Sequence, residues 1–86
     1  MKENDRFNIF NLNAERISYG NMIDSERFSL YNNDGIYIAY GIFNSIENFS
    51  IYDLNGKRIS YGIMNGTRDF NIYNLETERI SYGSRE

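Results

Sequence analysis

The chain has 86 residues, of which 41% are hydrophobic, and a formal net charge of −3. A chain of this length forms one domain with a thin core, because it buries only roughly 60% of its unfolded surface. The absence of Cys excludes disulfides and thiolate metal sites, and the absence of His removes the commonest general base and metal ligand. We therefore expect no enzyme, no catalytic residue, no metal site and no cofactor.

Acidic and basic residues are interspersed along the chain and create no basic field that would neutralise phosphates. Nucleic acid is therefore not an expected partner. The first residues, Met1 to Arg6, are charged and lead directly into the patterned part of the chain, with no apolar stretch of signal-peptide or membrane-span length. We expect a cytoplasmic protein without a membrane partner.

Four segments of one pattern follow each other at a constant offset of 21 residues. They are RFNIFNLNAERISYG from Arg6, RFSLYNNDGIYIAYG from Arg27, NFSIYDLNGKRISYG from Asn48 and DFNIYNLETERISYG from Asp69. Each copy has Phe at its second position and ends in Tyr-Gly. This self-similarity predicts a single domain over 1–86 that consists of four repeats, at 6–26, 27–47, 48–68 and 69–86.

Each copy contains two runs of about six residues rich in Phe, Ile and Tyr, which favour β-strands. Asp34-Gly35 separates the runs in the second copy and Asn55-Gly56 in the third, and both dipeptides favour two-residue type I′ turns. The apolar residues do not sustain a 3.6-residue period, so no helix is predicted. Because the linkers are also as short as turns, the sequence predicts an all-β fold, an antiparallel meander of about eight strands.

A two-residue loop at Asn55-Gly56 also predicts the faces of the third hairpin, because directly opposed residues point to the same side. One face would carry Phe49, Ile51, Asp53, Arg58, Ser60 and Gly62, and the other Tyr52, Leu54, Ile59 and Tyr61. Phe49 would then cover Gly62, and Asp53 would pair with Arg58. Because side chains alternate along a strand, an offset of 21 requires one odd-sized loop or bulge per copy, which we expect in the linker at 65–67.

Both faces of this sheet retain large apolar residues, so the second face must also be covered. The alternatives are an open twisted sheet that self-associates, a small closed barrel with the Tyr/Leu/Ile face inside, a coiled stack of hairpins, or propeller blades completed by several chains. The open sheet is the preferred prediction. It makes another copy, in a homo-oligomer, or another protein the expected partner.

Tandem hairpins of just over twenty residues with recurring aromatic and Gly positions resemble MORN-type repeats, and the run Asn55-Gly56-Lys57-Arg58 is similar to the turn of that family. Copies one, three and four carry Ile-Ser-Tyr-Gly where that family repeats Gly-x-Gly. The resemblance implies a non-enzymatic scaffold for protein or lipid contacts.

The recurring tyrosines are the candidate binding residues, because aromatic rings at fixed spacing can stack on sugar rings. They are Tyr19, Tyr31, Tyr40, Tyr52, Tyr61, Tyr73 and Tyr82. Their simpler role is packing of the sheet, and sugar binding requires that they lie in solvent. The sequence therefore predicts a non-enzymatic binding or self-assembly module, with carbohydrate binding by the tyrosines as the alternative function.

Overall fold

The computed structural model describes all 86 residues, which form eight antiparallel β-strands and no helix. The strands are β1 (Arg6–Asn11), β2 (Arg16–Met22), β3 (Arg27–Asn32), β4 (Tyr37–Phe43), β5 (Asn48–Asp53), β6 (Arg58–Asn65), β7 (Asp69–Asn74) and β8 (Arg79–Arg85). Each strand pairs with the next, and β8 pairs with β1, so that the meander closes into a barrel within one chain. The all-β meander is confirmed, and of its alternatives the closed barrel forms and the open sheet does not.

The register between the strands explains why the barrel closes. Phe49 lies opposite Gly62, and Gly62 lies opposite Ile72, which corresponds to Ile51 one copy later. Each hairpin therefore advances the pairing by two residues, and the four hairpins together give a stagger of eight. Eight strands with this stagger tilt by roughly 36° and enclose a space that side chains just fill.

The barrel interior is the face built from Phe, Ile, Ser and Gly, so the prediction of an interior lined by tyrosines is wrong. The buried hydrophobic residues are Phe7, Ile9, Met22, Phe28, Leu30, Ala39, Phe49, Ile51, Phe70 and Ile72. Within the third hairpin, Phe49 is opposite Gly62 and Ile51 is opposite Ser60, so a small residue faces each large one. On the outer face Tyr is opposite Tyr between neighbouring hairpins, and an eight-stranded interior has no space for such pairs.

Four phenylalanines form a closed ring of edge-to-face contacts at the centre of the core. The ring centroids of Phe7–Phe28, Phe28–Phe49, Phe49–Phe70 and Phe70–Phe7 are 5.3–5.6 Å apart, with interplanar angles of 83–87°. Each of these rings also lies over the glycine of its own hairpin; a Cβ added to Gly62 would be 2.0 Å from Cζ of Phe49. The predicted covering of Gly by Phe is confirmed.

The hairpin turns differ from the predicted two-residue type I′ turns. In the third hairpin the three residues 54–56 connect Asp53 to Lys57. The Gly56 N–H donates to the Asp53 carbonyl at 3.0 Å, and the Asp53 N–H donates to the Lys57 carbonyl at 2.8 Å. Only Gly56 in this turn has a positive φ, of 83°, whereas a type I′ turn needs two such residues.

A β-bulge follows each hairpin turn. In the third hairpin the register shifts between the pairs Ile51–Ser60 and Tyr52–Arg58, which leaves Ile59 as the extra residue. A three-residue turn followed by a bulge gives the same register beyond the bulge as a two-residue turn. The pairs farther from the turn are therefore as predicted, whereas those nearest it are not. The odd-sized loop that the 21-residue offset requires is confirmed in the linker: Asn65 pairs with Asp69, so that three residues, 66–68, connect β6 to β7, one residue further along than predicted.

The third residue of the hairpin turn has a left-handed backbone conformation in every copy. It is Ala14, Gly35, Gly56 or Thr77, with φ between 66° and 83°. A β-branched residue is the least suited to this conformation. We expect Thr77→Gly to raise the free energy of unfolding by about 1 kcal/mol, measured by urea denaturation, and the unbranched control Ala14→Gly to raise it less. A loss of stability in Thr77→Gly would contradict this assignment of strain.

The residues before β1 close the barrel end that lies opposite the hairpin turns. The Met22 N–H donates to the Asp5 carbonyl at 2.8 Å, an arrangement that the later linkers repeat, and Met1 packs against the core. The hydrogen bond from the Lys2 N–H and the charge of Arg85 lower the pKa of the Asp5 carboxyl. The N-terminal segment therefore takes the place of a linker loop.

Candidate functional site

All seven tyrosines predicted as binding residues lie on the outer face of the barrel and are half-buried. They stack in pairs across neighbouring strands, and Phe10 completes the fourth pair. The pairs are Tyr19–Tyr31, Tyr40–Tyr52, Tyr61–Tyr73 and Phe10–Tyr82, with ring centroids 5.3–5.5 Å apart and planes within 19° of parallel. The fold thus gives each repeated tyrosine an aromatic partner.

Arginines after the hairpin turns lie over the same rings. The guanidinium carbons of Arg16, Arg58 and Arg79 are 4.9, 5.4 and 5.2 Å from the ring centroids of Tyr19, Tyr61 and Tyr82, respectively. In the second copy Tyr37 replaces the arginine, and its ring is 5.9 Å from that of Tyr31. We call the stacked pairs with these arginines and Tyr37 the outer belt. Cation–π contacts of this kind contribute about 0.5–1 kcal/mol each at exposed sites.

The predicted pair of Asp53 and Arg58 does not form, because the bulge separates them. The Asp53 carboxylate instead accepts hydrogen bonds from the backbone N–H groups of Asn55 and Lys57, at 2.9 and 3.0 Å, and so caps its own turn. Arg58 donates to Ser50 Oγ at 3.2 Å. The arginines after the turns therefore belong to the outer belt and not to a row of ion pairs.

A ring of exposed aliphatic side chains surrounds the barrel at the end formed by the hairpin turns. We call this end, residues 12–17, 33–38, 54–59 and 75–80, the hairpin rim. Its exposed aliphatic residues are Leu12, Ile17, Ile36, Ile38, Leu54, Ile59, Leu75 and Ile80, which are 42–59% exposed. Together with Tyr37 they are nine of the twelve exposed large hydrophobic residues of the chain, so the apolar surface is concentrated at one end.

The bulge produces much of this apolar surface. The sequence-based pairing placed Ile59 opposite Tyr52 within a regular strand, whereas the bulge exposes it beside the neighbouring hairpin. Ile59 and Leu75 line a shallow groove of about 330 Å³ between the third and fourth hairpins. The recurrence of Ile at this position in every copy was the available sequence signal, but it is equally typical of a strand interior.

A second groove, larger and more polar, crosses the outer face of β1, β2 and β3. It is open to solvent and has a volume of about 690 Å³. The aromatic pair Tyr19–Tyr31 lies along it, and Arg6, Asn8 and Asn21 are among the residues around that pair. We call it the first-hairpin groove. It is the largest cavity of the molecule.

The chain contains no cluster of three acidic side chains that could hold a metal ion. No helix in the structure has the length and hydropathy needed to cross a bilayer. No family model, curated protein or solved structure matches the chain. The MORN-type resemblance therefore stays a prediction, and the rim, the belt and the groove are the features of the structure that bear on function.

Proposed function

We propose that this protein is a non-enzymatic binding module that self-associates, and that a second copy docks on the hairpin rim. The observation that carries the proposal is the ring of eight exposed aliphatic side chains at this end of the barrel. Monomeric soluble proteins rarely expose a contiguous apolar patch of more than a few hundred Å², and larger patches mark interaction sites.

Closure of the barrel decides which kind of contact is available. Because β1 and β8 pair with each other, no strand edge is free to pair with another chain. Two copies therefore cannot associate by pairing of strand edges, as an open sheet could. They can associate only by packing of side chains on their surfaces. The rim is the part of the surface with the most apolar side chains for this purpose.

The dimensions of the rim are those of a small dimer interface. The molecule is 28 Å across. A disc of this diameter has an area of roughly 600 Å², compared with about 800 Å² per partner in a standard interface. Two barrels packed rim to rim would therefore form an interface at the smaller end of the range.

The charges of the rim are also suited to a second copy. The turns carry both signs close together, with Lys57 and Arg58 in the third hairpin and Glu76 and Glu78 in the fourth. A two-fold axis through the interface places the same patch of both molecules in contact, so a surface of mixed sign can pair opposite charges. A surface of one sign would repel its copy.

Light scattering over a concentration series tests the proposal. We expect a dimer at high micromolar concentration. In the double variant Ile59→Lys/Leu75→Lys the dissociation constant of the dimer should be at least about 100-fold larger, because both charges would enter an apolar interface. The matched control is Ile46→Lys, at the opposite end, where the side chain is 90% exposed; it should dimerise like the unchanged protein. A strict monomer, or equal weakening by the control, would contradict the proposal, as would binding of only an unrelated protein at the rim.

Carbohydrate binding by the repeated tyrosines is the second candidate, and the position of all seven on the outer face supports it. The outer belt limits how a sugar could bind, because the rings already stack on each other and under guanidinium groups. A sugar would therefore be bound by hydrogen bonds more than by stacking.

The cytoplasmic location stays a prediction from the sequence.

A further inference from the structure

Comparison of the four copies separates the residues that the fold requires from the residues that it does not require. The Phe, the Gly and the stacked aromatic pairs recur in all copies and are explained by the barrel core and the outer belt. A polar residue found in one copy only has no such explanation. Two polar residues that line the first-hairpin groove, Asn21 and Asn33, are of this second kind.

Two positions show the contrast most clearly. Asn21 corresponds to Ile42, Ile63 and Ser84 in the later copies. Asn33 corresponds to Leu12, Leu54 and Leu75. Both asparagines line the groove, Asn21 from β2 and Asn33 from the turn of the second hairpin, and each is an amide where two or three of the other copies have an aliphatic side chain. The barrel accepts either chemistry at these positions.

From this groove we infer a single carbohydrate-binding site, specific for a sugar that carries a carboxylate group. The inference rests on the carbohydrate candidate above and not on self-association. It differs from four equivalent tyrosine sites because the polar residues of this one groove provide the recognition, and the pair Tyr19–Tyr31 contributes ring edges and hydroxyl groups.

One part of the groove is held rigid by an arginine and two amides. Arg16 Nε donates to Asn33 Oδ1 at 3.0 Å, and Asn33 Nδ2 returns a hydrogen bond to the Arg16 carbonyl at 2.8 Å. Arg16 Nη1 also reaches Asn8 Oδ1 at 3.4 Å, while its guanidinium lies over the ring of Tyr19. These contacts fix the wall of the groove before any ligand binds, which lowers the entropic cost of binding.

Another part of the groove has polar groups without partners in the chain. The side chains of Asn4, Arg6 and Asn21 make no hydrogen bond and no ion pair. An amide offers a donor and an acceptor side by side, which matches neighbouring sugar hydroxyls. A guanidinium binds a carboxylate through two parallel hydrogen bonds. The free groups therefore correspond to the polar groups of an acidic sugar.

The charge and the volume favour this ligand over other anions. The groove of about 690 Å³ has the volume of a site for a small molecule or a few sugar residues. One unpaired arginine matches one carboxylate, whereas the net charge of −3 opposes a polyphosphate chain. Glu86, which accepts a hydrogen bond from Asn8 at 3.5 Å, also lines the groove and would accept from a hydroxyl.

The test is an NMR titration of the full chain with trimers of galacturonate, glucuronate and mannuronate, and with the corresponding neutral hexose trimers. We expect at least one uronate trimer to bind and to shift the backbone amides of Tyr19 and Asn21. It should bind at least about ten-fold more tightly than its neutral counterpart, a difference of about 1.4 kcal/mol. No binding of any uronate trimer, or equal binding of the neutral trimer, would overturn the inference.

Variants that introduce the residue found at the same position of another copy give a test and a matched control. Asn21→Ile installs the residue of the second and third copies, so the fold should tolerate it, and we expect at least ten-fold weaker binding. Asn65→Ile makes the same Asn-to-Ile replacement outside the groove, with the residue that the first copy has at this position, Ile23, and should leave binding unchanged. Equal losses in the two variants would overturn the inference. The rim variant Ile59→Lys/Leu75→Lys should bind the trimer normally, so that failure of self-association and failure of the sugar site give different results.

Discussion

Gly62→Ala is expected to lower the free energy of unfolding by about 3 kcal/mol or more, since overpacking of a core by one methyl group costs about 1–3 kcal/mol even where the neighbours can move. Here the added Cβ would lie 2.0 Å from Cζ of Phe49 and within 2.6 Å of two further ring atoms. The ring cannot move aside, because Phe28 and Phe70 contact it edge to face. Urea denaturation followed by circular dichroism measures the change.

A neighbouring interior position provides the control for this substitution. Ser60→Ala lies in the same strand and also points into the barrel, but it removes an atom, so we expect a change below about 1 kcal/mol. The double variant Gly62→Ala/Phe49→Leu should be less destabilised than the sum of its single variants, because the shorter side chain relieves the clash. Additive effects would show that contact with the Phe49 ring is not the reason why glycine is needed at position 62.

Phe28→Ala is expected to destabilise the barrel by about 3–5 kcal/mol, the usual cost of removing a buried phenylalanine. Its ring contacts Phe7, Phe43 and Phe49 and is 2% exposed, so the surrounding residues cannot close the space. The small domain has only about 5–15 kcal/mol of stability in total, so we expect a large fall in the thermal midpoint. Calorimetry measures it.

The space left by Phe28→Ala gives a second measurement. It would be apolar and lined by the remaining rings, and cavities of this kind stay dry and bind benzene. Benzene should therefore raise the thermal midpoint of this variant and leave that of the unchanged protein as it is. Phe10→Ala, which removes a half-buried ring from the outer belt, should cost less and show no response to benzene. A benzene response in both variants would contradict the closed ring of phenylalanines.

The pairing within each hairpin, away from its turn, could be predicted from the sequence because it depends on local patterns. The two runs in each copy and the Asn-Gly or Asp-Gly dipeptides are enough to place Phe49 opposite Gly62. The turn type could not be chosen from those dipeptides, since Gly at the last position suits both turns. The first and fourth copies contained the better signal, because Asn13-Ala14 and Glu76-Thr77 are poor choices for two left-handed residues in succession.

The inner face of the barrel could not be chosen by hydropathy, because both faces carry apolar residues. Volume would have been the better criterion. Gly or Ser opposite Phe or Ile fits inside eight strands, and Tyr opposite Tyr does not. The candidate sites could not be predicted either, because they depend on how the hairpins are arranged in the barrel. The hairpin rim follows from the bulge and from the ring of four turns, and the first-hairpin groove requires three strands side by side.

The junction between β8 and β1 has the same register as the linkers within the chain, since Ser84 lies opposite Asn8 as Asn21 lies opposite Ser29. The stagger of two residues per hairpin returns the sheet to its own first strand after four copies. Open repeat proteins lengthen by adding units at either end, and their binding surfaces lengthen with them. This barrel has no free strand edge at which a fifth hairpin could be added, so its surface cannot lengthen in that way, and it varies where the four copies differ in sequence.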